Sequence, residues 1–484
     1  MRREYFPSIA SDETEWPVAP GSAFYAVRLG GRQIGIATTT IDTLSEGLSI
    51  DDRLTLDVPA EAGKRSRRLL NRTTALLSRN LHVKSWRTSL VDDTRRSSIS
   101  GDVEGDSALV LIIASGLAAE TLAVQLERPI ILPSVLPFRL RYAGNLRAGA
   151  SVEASTFDPI ALRFRSDRFR VGPDSMFILP DSAVYDSAAG RWMSAHVDSV
   201  RAWRLDSQEG GIPLRRWIDS QGLTVYASTP LGITVERSAF ELVSANYRKR
   251  RAASPVPVPG SVNLAGINAT SPKSPAVDSV VLGVTDPAGS GLRVGLNHAQ
   301  RLEWLGLQPA ATDSVDRPDS ARLAAFLGTE PLVQVEDSGI RTEATRIAGK
   351  TSDASVIAER LAARVRHVRP APKESGSWSA ARVLTANRGD GDSRINLFLA
   401  LARSLGIPAR RVAGVIRTGT MYSSAGWAEI YDDGWKPVEL DPLVSSADFR
   451  IRLTVGTLGQ PLSLIPLIGQ VKVEDVTPVR RSQP

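Results

Sequence analysis

The chain has 484 residues, of which 42% are hydrophobic and 23% charged, and it carries a formal net charge of +7. This length accommodates roughly two to four domains with apolar cores of ordinary size. The complete lack of cysteine excludes disulfides and any thiol chemistry.

Residues 1–19 read as an N-terminal extension and residues 20–251 as a β-rich antiparallel domain. Gly30-Gly31 suits a two-residue hairpin turn between strands at 23–29 and 32–41. Residues 48–58 alternate Ile50, Leu54, Leu56 and Val58 with polar neighbours, which predicts a half-buried strand. Further strands are expected at 88–91, 107–114, 121–126, 138–142, 151–156, 199–205 and 214–218. A late hairpin follows near 217–226. The apolar run 108–118 is too short to span a bilayer and reads as a buried strand. Gly, Pro and Asp clusters punctuate these segments at regular intervals, as in a sandwich or half-barrel. A helix over 239–250 closes the domain. It ends in Arg248-Lys249-Arg250-Arg251, the densest basic cluster. No zinc-finger, RNP-like or phosphate-loop motif accompanies it, so it reads as a solvated helix end and no nucleic-acid partner is expected.

Residues 252–275 are rich in Pro and Ser and form an expected linker. The second domain is expected over 276–470, with 471–484 as a tail. Strands are expected at 277–284 and 332–335, with helices or turns near 297–305 and 320–327. Helices follow at 341–350, 353–367 and 379–386. This order of helices and then strands suits an α+β fold.

The most informative segment is Arg388-Gly389-Asp390-Gly391-Asp392-Ser393 and the run after it. Asp390, Asp392 and Ser393 are helix-capping types. Ile395, Phe398, Leu399, Ala402 and Leu405 share one helical face, and Leu397, Ala400 and Leu401 make the other sides apolar as well. Such a helix is buried. Gly406 suits the left-handed position after its end, and Pro408 follows. Residues 411–418 read as a strand, and Ala425-Gly426-Trp427-Ala428-Glu429-Ile430-Tyr431 as a second. Asp433-Gly434 is a hairpin signal, and 435–440 returns to Asp441-Pro442.

This succession, over 338–460, resembles the transglutaminase-like superfamily, whose fold is papain-like. The family pattern reads Gly-Asp-Cys at the helix start, His-Ala-Trp-Ala-Glu on the strand and Asp-Pro at the end. The resemblance therefore implies a catalytic triad at positions 391, 425 and 441. Here Gly391 stands for the cysteine, Ala425 for the histidine, and Asp441 is kept. In a Cys-His-Asp unit the thiolate attacks, the imidazole moves the proton and the aspartate orients the imidazole. Glycine and alanine can fill neither of the first two roles, so no intact catalytic set is expected.

Asp390, Asp392, Ser393, Trp427 and Glu429 are the expected cleft residues. His82, His196, His298 and His367 lie outside the motif strands and are expected to be bland. No cofactor is expected, and no metal, because no ligand spacing suits one. Three readings stand open. The first is a pseudoenzyme that binds a protein, peptide or cell-envelope ligand. The second is a hydrolase or acyl-transfer enzyme working through Asp392, Ser393 and Asp441. The third is an envelope scaffold whose β-rich half does the work. The opening Met1-Arg2-Arg3-Glu4-Tyr5-Phe6-Pro7 resembles the stub after a membrane anchor in large bacterial members of the superfamily. That resemblance implies a tether absent from this chain and a site at the cell envelope, outside the cytoplasm; without such a tether the expected site is the cytoplasm.

Overall fold

The computed structural model describes residues 18–29, 31–58, 67–91, 96–105, 107–115, 118–126, 129–159, 162–209, 212–229, 233–253, 279–284, 292–296, 302–304, 323–371, 377–418, 421–440, 449–455 and 471–476. The chain divides into two compact units, Met1–Pro259 and Gly260–Pro484.

The first unit is built on one antiparallel sheet. Its first eight strands are β1 (Gly21–Leu29), β2 (Arg32–Leu44), β3 (Gly47–Val58), β4 (Arg67–Leu77), β5 (Val83–Val91), β6 (Arg96–Glu104), β7 (Ala108–Ser115) and β8 (Ala118–Gln125). Helix α1 (Leu136–Tyr142) leads to β9 (Ser151–Asp158), β10 (Arg163–Asp186), β11 (Arg191–Glu209), β12 (Ile212–Asp219), β13 (Thr224–Ser228) and β14 (Ile233–Ser238). The strand order is β8-β7-β6-β5-β4-β3-β2-β1-β14-β13-β12-β11-β10-β9. Two meanders thus join where β1 pairs with β14, and β8 and β9 are the edges. Of the sandwich and half-barrel that the punctuation suggests, the sandwich's split into two sheets does not occur, because the β1–β14 ladder makes the strands continuous.

Period-two burial explains the strands. In β3, Leu48, Ile50 and Leu56 are inside, and residues between them are more exposed. The β1–β2 hairpin pairs Leu29 with Arg32, the two-residue connection that the glycines suggest. Residues 138–142, expected as a strand, are helical. Phe138, Leu140 and Tyr142 mimic period two, but Pro137 opens a helix and Leu136 and Leu140 stack one turn apart. That helix packs into a cluster with Phe169, Leu205 and Ile218. The closing segment is a π-helical turn (Glu241–Ala245) followed by α2 (Asn246–Ala253).

In the second unit, β15 (Ser279–Val284), β16 (Leu292–Leu296) and β17 (Leu302–Trp304) form a sheet with β24 (Val471–Val476), in the order β17-β16-β15-β24. Two expectations are corrected here. Residues 302–304 are strand rather than helix or turn. Residues 471–476 are no tail, because Val471-Lys472-Val473 alternates and pairs with β15.

Four helices follow: α3 (Ser338–Ala348), α4 (Ala354–Arg366), α5 (Ala380–Ala386) and α6 (Gly391–Ser404). Each is opened by a side-chain cap. Asp337, Asp353, Ser379 and Asp390 accept from the N–H of Ile340, Val356, Arg382 and Ser393. Residues 332–335 form a turn closed by a Glu330–Val333 bridge instead of the expected strand, and Val333 and Val335 are buried. Short parallel strands β18 (Arg369–Pro370) and β19 (Arg388–Gly389) pair just before α6.

The remaining strands are β20 (Ala409–Thr418), β21 (Met421–Tyr431), β22 (Trp435–Val438) and β23 (Phe449–Val455), in the order β22-β21-β20-β23. The β21–β22 hairpin pairs Tyr431 with Trp435, so its loop has three residues rather than two, and Asp433 takes a positive φ. Helix α6 is the axis of the core. It is buried at Ser393 and from Ile395 to Arg403, among Ile340, Leu361, Val383, Ile430 and Val438. Among the described residues no helix is long and apolar enough to cross a membrane.

Candidate functional site at the start of helix α6

Asp390 is the N-cap of α6. Its Oδ1 accepts from the Ser393 amide at 2.8 Å and from the Ser393 hydroxyl at 2.5 Å. The same hydroxyl oxygen accepts the Trp378 amide at 2.8 Å, and Asn396 Nδ2 donates to the Trp378 carbonyl at 2.7 Å. Ser393 is 0% exposed. Its side chain is thus a rivet between the cap and the segment before α5, and solvent does not reach it.

Gly391 is the first helical residue and is exposed. A Cβ built there would meet nothing within 4 Å among the described residues. The position that carries a nucleophile in the family pattern is therefore open space at the positive end of a helix dipole.

Asp392 is half-buried and pairs with Arg411, Nη1 to Oδ1, at 3.0 Å. Arg411 also donates to the Asp392 carbonyl at 3.2 Å and to Asn396 Oδ1. Strand β21 passes this first turn. A Cβ on Gly426 would lie 3.7 Å from Asp392 Oδ1 and 3.6 Å from Ile395 Cδ1. Ala425 precedes it, in register with Gly414, and packs against the buried Val412–Trp427 pair. The structure thus brings Asp390, Gly391, Asp392, Ser393 and the Ala425-Gly426 stretch to one end of α6. Asp441 and Pro442 lie outside the described residues.

Trp427 and Glu429, expected in the cleft, are enclosed at 1% and 0% exposure. Glu429 Oε2 accepts two bonds from Arg410, at 3.0 and 2.8 Å, and its Oε1 accepts the Trp427 indole N–H at 3.1 Å. The Arg410 guanidinium lies 3.8 Å from the centre of the Trp435 ring. This cluster belongs to the interior of the sheet. The reason is register: Arg410 stands directly opposite Glu429 on paired strands.

Arg410 and Arg411 carry roles that the sequence reading did not assign. Neighbours on a strand point to opposite faces, so one guanidinium meets Glu429 and the other meets α6. Both pairings join residues 19 apart, so no local stretch of sequence carried the signal. His82 and His196 belong to the first unit, where His196 pairs with Asp181 at 2.8 Å. His367 donates from Nδ1 to the Ala363 carbonyl of its own helix at 2.7 Å. His298 lies outside the described residues. Among the described residues no three His, Asp or Glu side chains are grouped as metal ligands. A cavity of about 440 Å³ opens at the opposite end of α6, by Leu405, Gly406 and Pro408, away from Gly391.

Burial pushes the Asp390 carboxyl up, with the Asp392 charge adding to this, against the lowering effect of the Ser393 bonds. A raised carboxyl favours the protonated native state. Its contribution to stability is fully present below the unfolded pKa and is lost as pH rises through the folded one. Asp390→Asn keeps the capping oxygen and removes the charge. The expected result is a flatter stability profile from the ordinary carboxylate range upward, read as urea midpoints against pH. An unchanged slope would mean that Asp390 is not the source.

Residues 341–442 match the model of the transglutaminase-like superfamily. No curated protein matches the chain. Among solved structures, a β-barrel-like protein of a domain of unknown function from Brucella abortus is 16% identical, with a TM-score of 0.33. That match covers 46% of this chain and 95% of the other. A candidate cysteine protease from Cytophaga hutchinsonii is 18% identical with a TM-score of 0.25, covering 33% of this chain and 53% of that one. The chain therefore spans about half the length of the second protein. The capped buried helix, the antiparallel strands beside its first turn and the family match identify residues 341–442 as a transglutaminase-like domain, within an α+β chain whose first unit is built on a large antiparallel sheet.

Proposed function

We propose that the transglutaminase-like domain is a pseudoenzyme, retained as a binding or scaffold module for a protein, peptide or cell-envelope ligand. The observation that carries this reading is Gly391: exposed, with a would-be Cβ that meets nothing within 4 Å among the described residues, at the head of an intact buried helix. The helix N-terminus that would favour a thiolate is present, and the thiol is not. Ala425 offers no group to move a proton.

The competing hydrolase reading needs Ser393 or Asp392 to act. Ser393 is enclosed and its hydroxyl is engaged by Asp390 and the Trp378 amide. Asp392 is held by Arg411. Both are committed to holding the helix start, which weighs against a nucleophile or free base there.

The test uses the absence of other cysteines. In Gly391→Cys, alkylation by iodoacetamide followed against pH reports a single thiol. A free thiol titrates at about 8.5, and a helix N-terminus lowers it. We expect a depressed value in the single variant and a further drop with Ala425→His. The unsubstituted protein should not hydrolyse acyl esters or amides above the buffer rate. Turnover by the unsubstituted protein that Asp441→Ala abolishes would overturn the proposal. Thiols that titrate at the free value in both variants would remove the argument from the retained frame.

A further inference from the structure

The β10–β11 hairpin outruns its neighbours. Strand β9 pairs with it only at 163–170 and β12 only at 202–209, so the outer part is a two-stranded ribbon. An isolated ribbon is marginal in water, and this one is tied down. Asn246 donates from Nδ2 to the Trp192 carbonyl and accepts the Trp192 amide on Oδ1, both at 2.9 Å. Lys249 Nζ donates to the Gly190 carbonyl at the ribbon's turn. The ribbon is thereby strapped to the closing helix.

Under the strap lies a cavity of about 540 Å³, within the usual size of small-ligand sites. Phe177 and Leu179 of the ribbon, Tyr226 and Val225 of β13, and Leu242 and Val243 of the helical segment give it an apolar lining. Phe177 stacks with Tyr226 at 6.3 Å between centroids and meets Trp217 edge-on at 5.8 Å, so this wall is built rather than incidental. The charged lining is one-sided: Arg28, Arg191, Arg237 and Lys249 against Glu236. Arg28 is matched by Glu236 at 2.8 Å, and Arg237 by Asp219 at 2.6 Å. Among the described residues, Arg191 and Lys249 meet no carboxylate, and both are exposed.

We propose that this cavity binds a small amphiphilic carboxylate, an apolar chain ending in one anionic head. The chain would lie against Phe177, Leu179 and Leu242, and the head would pair with Arg191 and Lys249. An apolar lining alone would accept a neutral chain. The surplus of cations is what selects the anion, since a guanidinium pairs with a carboxylate through two parallel bonds.

Calorimetry on the full chain tests this with dodecanoate, dodecanol and dodecyltrimethylammonium as probes. Dodecanoate should bind saturably, with the neutral and cationic probes weaker by about tenfold or more, the worth of one charge-assisted contact. Arg191→Glu, an exposed change that leaves the core intact, should weaken dodecanoate by a similar factor. Leu179→Trp, which fills the cavity, should remove binding with the circular dichroism spectrum unchanged. Absence of saturable dodecanoate binding would overturn the proposal. Equal affinity for the alcohol would do the same, as would an affinity that Arg191→Glu leaves unaltered.

Discussion

Glu429→Ala is expected to destabilise the second unit by about 3–5 kcal/mol, because it takes the carboxylate from a buried guanidinium. Arg410 is 1% exposed and donates two bonds to Glu429. Removing the carboxylate takes two bonds from a guanidinium held in the interior against the Trp435 face, and it takes the acceptor from the Trp427 indole N–H. A cation on an aromatic face is worth about 0.5–2 kcal/mol, too little to offset the loss. The pair itself need not stabilise the fold, since its desolvation cost opposes its attraction. Hence Arg410→Met with Glu429→Gln, which removes both charges and keeps an oxygen for the indole, should recover much of the loss. Urea unfolding of the full chain, with hydrogen exchange over 391–404 to assign the transition, measures both. A Glu429→Ala cost below about 1 kcal/mol would mean that the cluster is not enclosed, and Glu429 would return to the list of cleft residues.

What the sequence disclosed follows from which forces act locally. The start of α6 was legible because capping and dipole effects depend on neighbouring residues: Asp390 caps and Gly391 opens the helix. At the other end Gly406 takes a φ of +77° after the last turn, and its N–H donates to the Arg403 carbonyl. The burial of α6 was legible from its apolar faces. Long-range pairings were not. The bond from Arg411 to Asp392 joins residues 19 apart, and that from Glu429 to Arg410 spans the same interval. Neither leaves a mark in a local window. The β10–β11 ribbon was read only at 199–205. Its outer part runs apolar residues together, as in Met176-Phe177-Ile178-Leu179, and leaves Met176 and Ile178 exposed, so it lacks the alternation by which half-buried strands are recognised. In α1, a short helix with period-two apolar residues imitated a strand, and only tertiary burial decided between them.

This division between local and distant forces bears on the candidate site. The sequence alone named Gly391, Ala425 and their neighbours, but it could not say that Ser393 faces inward. Position along α6 decides that. Ser393 and Leu397 are one turn apart and both are 0% exposed, so the serine sits on the buried face, whereas Gly391 looks outward. A nucleophile two residues away from the family position would therefore need the helix to rotate about its axis, against every apolar contact that α6 makes.

The strength of those contacts sets the second large effect. Phe398→Ala should cost about 3–5 kcal/mol, the usual range for a buried phenylalanine, as lost transfer energy plus the cavity left behind. Phe398 is 0% exposed and lies midway along α6, within the cluster that joins α3, α4 and α5 to the strands. Little can collapse into the space, because it is ringed by elements fixed by their own caps. Phe398→Leu should cost distinctly less, since most of the volume is kept. Thermal and urea unfolding give the magnitudes. The informative comparison is with Gly391→Cys, where a side chain enters open space and should change stability by less than about 1 kcal/mol. A small loss in Phe398→Ala would show that α6 is loosely held, and the case for a preserved frame around an empty catalytic position would weaken with it. A large loss beside a silent Gly391→Cys would mean that the scaffold of the site is kept under tight packing while the nucleophile position itself is structurally unconstrained.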